Sequence, residues 1–176
     1  MRSFIAPVIA LMASATPAFA QDSTFQGPRV EALAGWDNVK GNGTSLSGFT
    51  YGGAAGYDLQ LEKTVLGIEG EVTGSTAKKT FDDFSSSTGR DLYVGGRIGY
   101  IVAPATLLYG KVGYDNSRVV ERSEEGRLAK NLDGLRLGAG VEHSFGKYYG
   151  KLEYRYTNLT QNLVRHQVLA GLGVRF

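Results

Sequence analysis

The sequence contains no cysteine, only four prolines and two methionines, and no long apolar run beyond its first twenty residues. Without cysteine the fold cannot be stapled by disulfides, so its stability must come from packing or from a continuous hydrogen-bonded sheet. The missing thiolates and the wide separation of the two histidines, His143 and His166, leave no metal-ligand set. Neither a metal nor a cofactor is expected. Nineteen Lys and Arg against seventeen Asp and Glu give a formal net charge of +2. Such a balance lacks the basic stripe that nucleic acid requires. A spanning helix needs about 20 consecutive apolar residues, and a bundle needs a sustained 3.6-residue period. Neither occurs after residue 20.

Residues 1–20 read as a secretory signal peptide. Arg2 supplies the basic end, Phe4 to Ala15 the apolar stretch, and Pro17-Ala18-Phe19-Ala20 the small-residue pattern that precedes a cut before Gln21. Residues 21–176 then form one domain, as expected for this length.

What the sequence has in abundance is glycine, 25 residues, and tyrosine, 10 residues, arranged in an alternation of period two. From Phe49 the odd positions read Phe49, Tyr51, Gly53, Ala55, Tyr57, Leu59, Leu61, and the even ones Thr50, Gly52, Ala54, Gly56, Asp58, Gln60. One face is greasy and the other polar or small. The pattern recurs in Val30 to Trp36, Leu66 to Val72, Leu92 to Tyr100, Leu135 to Val141, Leu152 to Tyr156 and Val168 to Phe176. In Leu107 to Tyr114, Lys111 sets the phase, making Leu108, Val112 and Tyr114 the greasy set. The count is eight strands. A mean hydropathy of −0.16 is compatible with a membrane barrel because alternation averages the signal away.

Connections alternate in length. Glu62-Lys63-Thr64, Ala103 to Thr106 and Gly146-Lys147 are tight, whereas Asn38 to Ser47, Ala77 to Thr88 and Asn116 to Asn131 are long and polar. Outer-membrane barrels pair short periplasmic turns with long outer loops, and an even strand number brings both ends of the barrel to the periplasmic side. Aromatics on the greasy face gather near strand ends. Trp36, Phe49, Tyr51, Tyr114, Tyr154 and Tyr156 form a predicted outer girdle, and Tyr57, Tyr100, Phe145, Tyr148 and Phe176 an inner one. Amphipathic rings prefer the two membrane–water interfaces, which a β-sandwich core lacks. These observations predict an all-β fold, an eight-stranded antiparallel up-and-down transmembrane β-barrel.

The segments Val94-Gly95-Gly96-Arg97-Ile98-Gly99-Tyr100, Leu108-Tyr109-Gly110-Lys111-Val112-Gly113-Tyr114, Leu152-Glu153-Tyr154-Arg155-Tyr156-Thr157-Asn158-Leu159 and the terminal Val174-Arg175-Phe176 resemble the small outer-membrane β-barrel proteins. That group includes the transmembrane domain of OmpA and alphaproteobacterial surface antigens. The peptidoglycan-binding domain of full-length OmpA is not expected here. The resemblance implies residence in the bacterial outer membrane among lipid and lipopolysaccharide, and insertion by the barrel-assembly machinery with Phe176 as a C-terminal assembly signal. It also implies loops presented to host or surface ligands.

Eight strands enclose an interior that side chains can fill. The polar face carries Glu31, Glu69, Glu71, Arg97, Lys111, Arg136, Glu142, Lys151, Glu153, Arg155 and Arg175. Buried charges must be paired, and this mixture of five acids and six bases permits that. A packed polar core is therefore expected rather than a catalytic site. Enzymes exist on such barrels, among them lipid A deacylases and palmitoyltransferases. His143 and His166, however, fall at opposite rims on the lipid face and share no triad-like partners. Gly138-Ala139-Gly140 and Gly171-Leu172-Gly173 lie inside strands, where they serve close packing and curvature instead of cradling phosphate. The long connections mix charges, as in Lys78-Lys79 with Asp82-Asp83 and Glu121-Arg122 with Glu124-Glu125. The expected function is non-enzymatic: envelope integrity and surface presentation. A small porin is the main rival, and a soluble lipocalin-like carrier, whose lumen would be apolar, is the other.

Overall fold

The computed structural model describes residues 24–41, 44–76, 78–81, 84–123, 126–160 and 163–176. The predicted signal peptide and its cleavage point lie outside them, as do Asp82-Asp83 and Glu124-Glu125. The elements are β1 (Gly27–Gly41), β2 (Thr44–Leu61), β3 (Thr64–Ser75), β4 (Lys78–Phe81), β5 (Phe84–Ala103), β6 (Thr106–Ser123), β7 (Gly126–Phe145), β8 (Tyr148–Leu159) and β9 (Leu163–Arg175). Every pairing is antiparallel between chain neighbours, with β3 paired to β5 and the circle closed by β1 against β9, from Arg29↔Arg175 to Lys40↔Val164. The short β4 extends the line of β3 along β5, so the wall is an eight-stranded closed barrel. Closure matters because a barrel leaves no backbone edge to pair with hydrocarbon.

The alternation read in the sequence sets the two faces. On β9, Arg165, Gln167, Leu169, Gly171, Gly173 and Arg175 are buried, while Val168, Ala170, Leu172 and Phe176 are exposed. On β6, Leu108, Val112 and Tyr114 face outward and Lys111 inward. Exposed Val, Leu and Ile on the outer wall, Ile68 at 68% and Leu172 at 74% among them, are the inverse of a soluble protein.

The turn positions 62–63, 104–105 and 146–147 lie at the end where β1 starts and β9 finishes. Gly146 takes a left-handed φ of +77° there, which glycine adopts without steric cost. The opposite end differs from the sequence reading. Asn38 to Ser47, Ala77 to Thr88 and Asn116 to Asn131 are largely strand, with Gly41↔Thr44, Phe81↔Phe84 and Ser123↔Gly126 as the last pairs. These stretches lose the greasy face because they extend past it, yet backbone pairing needs no apolar side chain. They are long hairpins instead of open loops.

Candidate functional site

β-Strand alternation turns every second side chain into the barrel, and the residues it delivers there are mostly charged. All eleven charges expected in the lumen are buried, none above 7% exposure. The structure adds Arg29, Asp37, Asp115 and Arg165, and also Asp58 and Asp91, which the alternation puts on the polar face but which were not counted among the expected lumen charges.

These side chains link into one chain of ion pairs along the barrel axis. At the inner end Asp58 accepts hydrogen bonds from Arg97 at 2.9 and 2.6 Å, Arg29 at 3.0 Å and Arg175 at 2.9 Å. Its carboxylate occupies space left by Gly67, where an added Cβ would lie 2.1 Å from Oδ1. Glu142 accepts from Arg97 at 2.9 Å and Arg175 at 2.8 Å. Arg29 reaches the next layer through Glu69 at 2.5 Å. There Lys111 bridges Glu69 at 2.7 Å and Glu153 at 2.8 Å, and Lys151 bridges Glu31 at 2.6 Å and Glu153 at 3.2 Å. Arg155 then joins Glu153 to Glu71, and Glu71 also accepts from Arg136 at 3.2 Å. Towards the outer end Arg136 pairs with Asp115 at 2.6 Å, while Arg165 pairs with Asp37 at 2.6 Å and with Asp91. Arg side chains hold most junctions because a planar fork can serve two carboxylates.

Three tyrosines complete the layers. Tyr149 donates to Glu31 at 2.8 Å and Tyr109 to Glu153 at 2.6 Å. Tyr93 lies under Lys111 and Arg136, at 4.7 and 5.1 Å from its ring centre. The inner mouth is closed by an apolar plug of Phe25, Val65, Leu107 and Tyr109. Arg175 stacks on Phe25 at 5.5 Å. Leu132 and Leu159 are buried at the outer end.

The outer wall carries the aromatic residues expected in the girdles. Trp36, Phe49, Tyr51, Tyr100, Tyr114, Phe145, Tyr148, Tyr154 and Phe176 are exposed, and Tyr57 and Tyr156 half-exposed. The histidines sit among them at opposite ends. His143 Nδ1 lies 2.9 Å from Thr106 Oγ1, and His166 Nδ1 lies 2.7 Å from Tyr154 Oη. At the outer rim Tyr114 and Asn116 both donate to exposed Asp133, at 2.5 and 2.7 Å. The grooves lined by Ile98, Leu108, Ala139 and Leu152, and by Leu59, Ile68, Ile98 and Val112, lie on this outer wall and not in the lumen.

A family model described as "Outer membrane protein beta-barrel domain" matches residues 6–176. The 25 kDa outer-membrane immunogenic protein of Brucella ovis is 26% identical over 202 residues, covering 100% of this chain and 98% of that protein. The 22 kDa outer membrane protein of Rhizobium leguminosarum bv. viciae is 29% identical, covering 81% and 74% respectively. Among solved structures, the attachment invasion locus protein of Yersinia pestis, in complex with the heparin analogue sucrose octasulfate, superposes with a TM-score of 0.65. It shares 18% identity and covers 86% of this chain and 99% of its own. At that identity the likeness is one of fold.

Proposed function

Since the chain belongs to the outer membrane protein β-barrel domain family and resides in the bacterial outer membrane, we propose that it is a non-enzymatic, non-conducting barrel. It would contribute to envelope integrity and present its long hairpins outside the cell. The observation that carries this reading is the lumen: buried acids and bases pair from the inner plug to the outer rim, leaving among the described residues no row of unpaired charge to guide an ion. A small porin would need a water-filled path, which eight strands do not leave. The barrel reconstituted in planar bilayers should therefore give no stepwise conductance, and liposomes carrying it should not swell in small sugars. Regular conductance steps would favour the porin.

The strand register supports surface presentation, because it lifts the hairpins of β1–β2, β4–β5 and β6–β7 beyond the outer aromatic residues. The Yersinia pestis neighbour holds a heparin analogue. Binding of host or surface ligands by this chain is proposed on that likeness of fold and on the charged hairpins.

Export would use residues 1–20 as a cleaved leader, and mass measurement of the mature protein should place its first residue at Gln21. Insertion would use Phe176. Its ring is 74% exposed on the outer wall and its backbone N–H donates to Pro28 at 2.9 Å, tying the last residue to the first strand. Phe176→Asp puts a charge on the lipid face at the inner interface and removes the aromatic anchor. Outer-membrane levels of the variant should fall severalfold while export persists; unchanged levels would remove Phe176 from assembly.

A further inference from the structure

Thr24, Phe25 and Gln26 stand ahead of the wall and take no part in its ladder, whose first pair is Gly27↔Asp58. Gly27 turns the chain from the wall into the inner mouth. Its φ of +118° is open to glycine and strained for other residues, and a Cβ there would lie 2.2 Å from the Phe176 carbonyl oxygen. Ahead of that bend Phe25 is fully buried against Val65, Leu107 and Tyr109.

Side chains hold this segment in place of strand pairing. The Phe25 N–H donates to Gln60 Oε1 at 2.9 Å, and Arg175 donates to the Thr24 carbonyl at 3.3 Å. The Arg175 guanidinium also lies between two rings, 5.5 Å from the centre of Phe25 and 5.1 Å from that of Tyr149. The nitrogen of the Gln60 amide donates to the Glu62 carbonyl at 3.1 Å. Glu62 has a φ of 53°, in the left-handed region that a residue with a Cβ rarely adopts. One amide thus anchors the segment and braces the adjoining turn.

Two features distinguish this segment from a fixed part of the core. Its seat is composite, with Gln60 from β2, Val65 from β3, Leu107 and Tyr109 from β6, and Arg175 from β9. Such a seat is complete only once β1 has met β9 and the ring is closed, so the segment docks last. Its attachments are also few. Among the described residues, two hydrogen bonds to side chains hold its backbone, and segments with so few bonds open at much lower free energy than strands in a continuous ladder.

The segment covers the ion layer at the inner end, where Arg97 and Arg175 both hold Asp58 and Glu142. Without the Phe25 ring, water reaches these charges and weakens their attraction. Leu132 and Leu159 stay buried at the outer end, so the lumen does not open from end to end.

We propose that Thr24 to Gln26 form a reversible strap, docked last on the closed barrel, whose seating decides whether the inner ion layer is dry or hydrated. The inference rests on the reading of this chain as a non-conducting outer-membrane barrel.

Because the chain has no cysteine, one introduced thiol can report on the seat. The folded barrel carrying Val65→Cys in detergent micelles is labelled with a small water-soluble methanethiosulfonate. Leu33→Cys is the reference, since Leu33 is buried in the lumen opposite Gly171, away from the strap. Adding Phe25→Ser or Gln60→Leu should raise the labelling rate of Val65→Cys about tenfold or more and leave that of Leu33→Cys within about twofold. Gln60→Glu keeps the acceptor for the Phe25 N–H and should keep the protection. Phe25→Ser should reach the compact form seen on unboiled gels at the wild-type rate, because closure precedes docking. Equal labelling of Val65→Cys with and without Phe25, equal acceleration at Leu33→Cys, or compaction slowed as much as protection is lost would overturn the strap. The non-conducting reading fails on a different measurement, stepwise current through the intact barrel in planar bilayers.

Discussion

Asp58→Asn is expected to destabilise the barrel by about 3–5 kcal/mol, the cost of removing one partner from a buried ion pair. Asp58 is fully buried and accepts four hydrogen bonds from three arginines. The amide keeps the shape but leaves Arg29, Arg97 and Arg175 sharing Glu31, Glu69 and Glu142. It also turns two donor hydrogens towards groups that can only donate. Trp36, the single tryptophan, is 60% exposed on the outer wall and reports the transfer from lipid to water. Urea unfolding of the barrel in vesicles, followed by its fluorescence, therefore reads the loss directly. Adding Arg97→Gln to Asp58→Asn removes the surplus cation, and Glu142 still keeps Arg175. The double variant should be less destabilised than the sum of the singles by about 1–3 kcal/mol. Asp133→Asn is the control: its partners are exposed at the rim, so the change should stay within about 1 kcal/mol. Strict additivity of Asp58→Asn and Arg97→Gln would show that these charges do not act as a pair.

The same residue marks the limit of what the sequence discloses. Alternation alone separates the two faces because the period of a strand is two, and each strand from Val30 to Phe176 obeys it. Glu153 and Arg155 stand out as lumen charges because greasy residues flank them on both sides, and Glu69, Glu71 and Lys151 because each stands between a greasy residue and a glycine. Asp37, Asp91 and Asp115 each have a polar neighbour on one side, and Asp58, although it falls on the polar face between Tyr57 and Leu59, sits close to the tight turn Glu62-Lys63-Thr64. Aspartate near the end of a greasy stretch reads equally as a turn residue, and only the register shows that the strand continues past it. Arg29 sits beside Pro28 at the first residues of β1 and is hidden for the same reason. Arg165 lies where β9 has only begun its alternation. The signal that could have found them is parity: Arg29, Asp37, Asp91, Asp115 and Arg165 share the odd count of a recognised lumen residue on their own strands, and Asp58 shares the even count of the polar face of β2. Pairings are a different matter. Lys111 and Glu153 meet at 2.8 Å across the lumen from β6 and β8, strands that are not neighbours in the wall. No periodicity within one strand carries that information. The long hairpins were hidden because a strand beyond the membrane has no greasy face to display.

Closure of the barrel sets the last expected result: Gly35→Ala should block or sharply slow formation of the compact form, while Gly70→Ala should fold like the wild type. Gly35 lies opposite Leu169 in the seam between β1 and β9. A Cβ there would meet the Val168 carbonyl oxygen at 2.1 Å and Leu169 Cα at 2.6 Å. Both obstacles are backbone, so no rotamer change relieves them, and overpacking of this kind costs about 1–3 kcal/mol or more. At Gly70 the nearest atom is the Tyr93 carbonyl oxygen at 3.9 Å, ordinary contact. Location amplifies the difference. Most pairings in the wall join strands adjacent in sequence, linked by a turn or hairpin, whereas the seam joins the first strand to the last and has no local turn to hold it. Contacts of that separation form late, after the chain entropy of closing the ring has been lost. A wedge at Gly35 therefore acts on the step with least local support and leaves two edges unsatisfied in hydrocarbon. Refolding into detergent or vesicles, sampled over time and run unboiled on gels, measures the compact fraction. Equal rates and yields for Gly35→Ala and Gly70→Ala would mean that the seam tolerates the added methyl and that closure is not the vulnerable step.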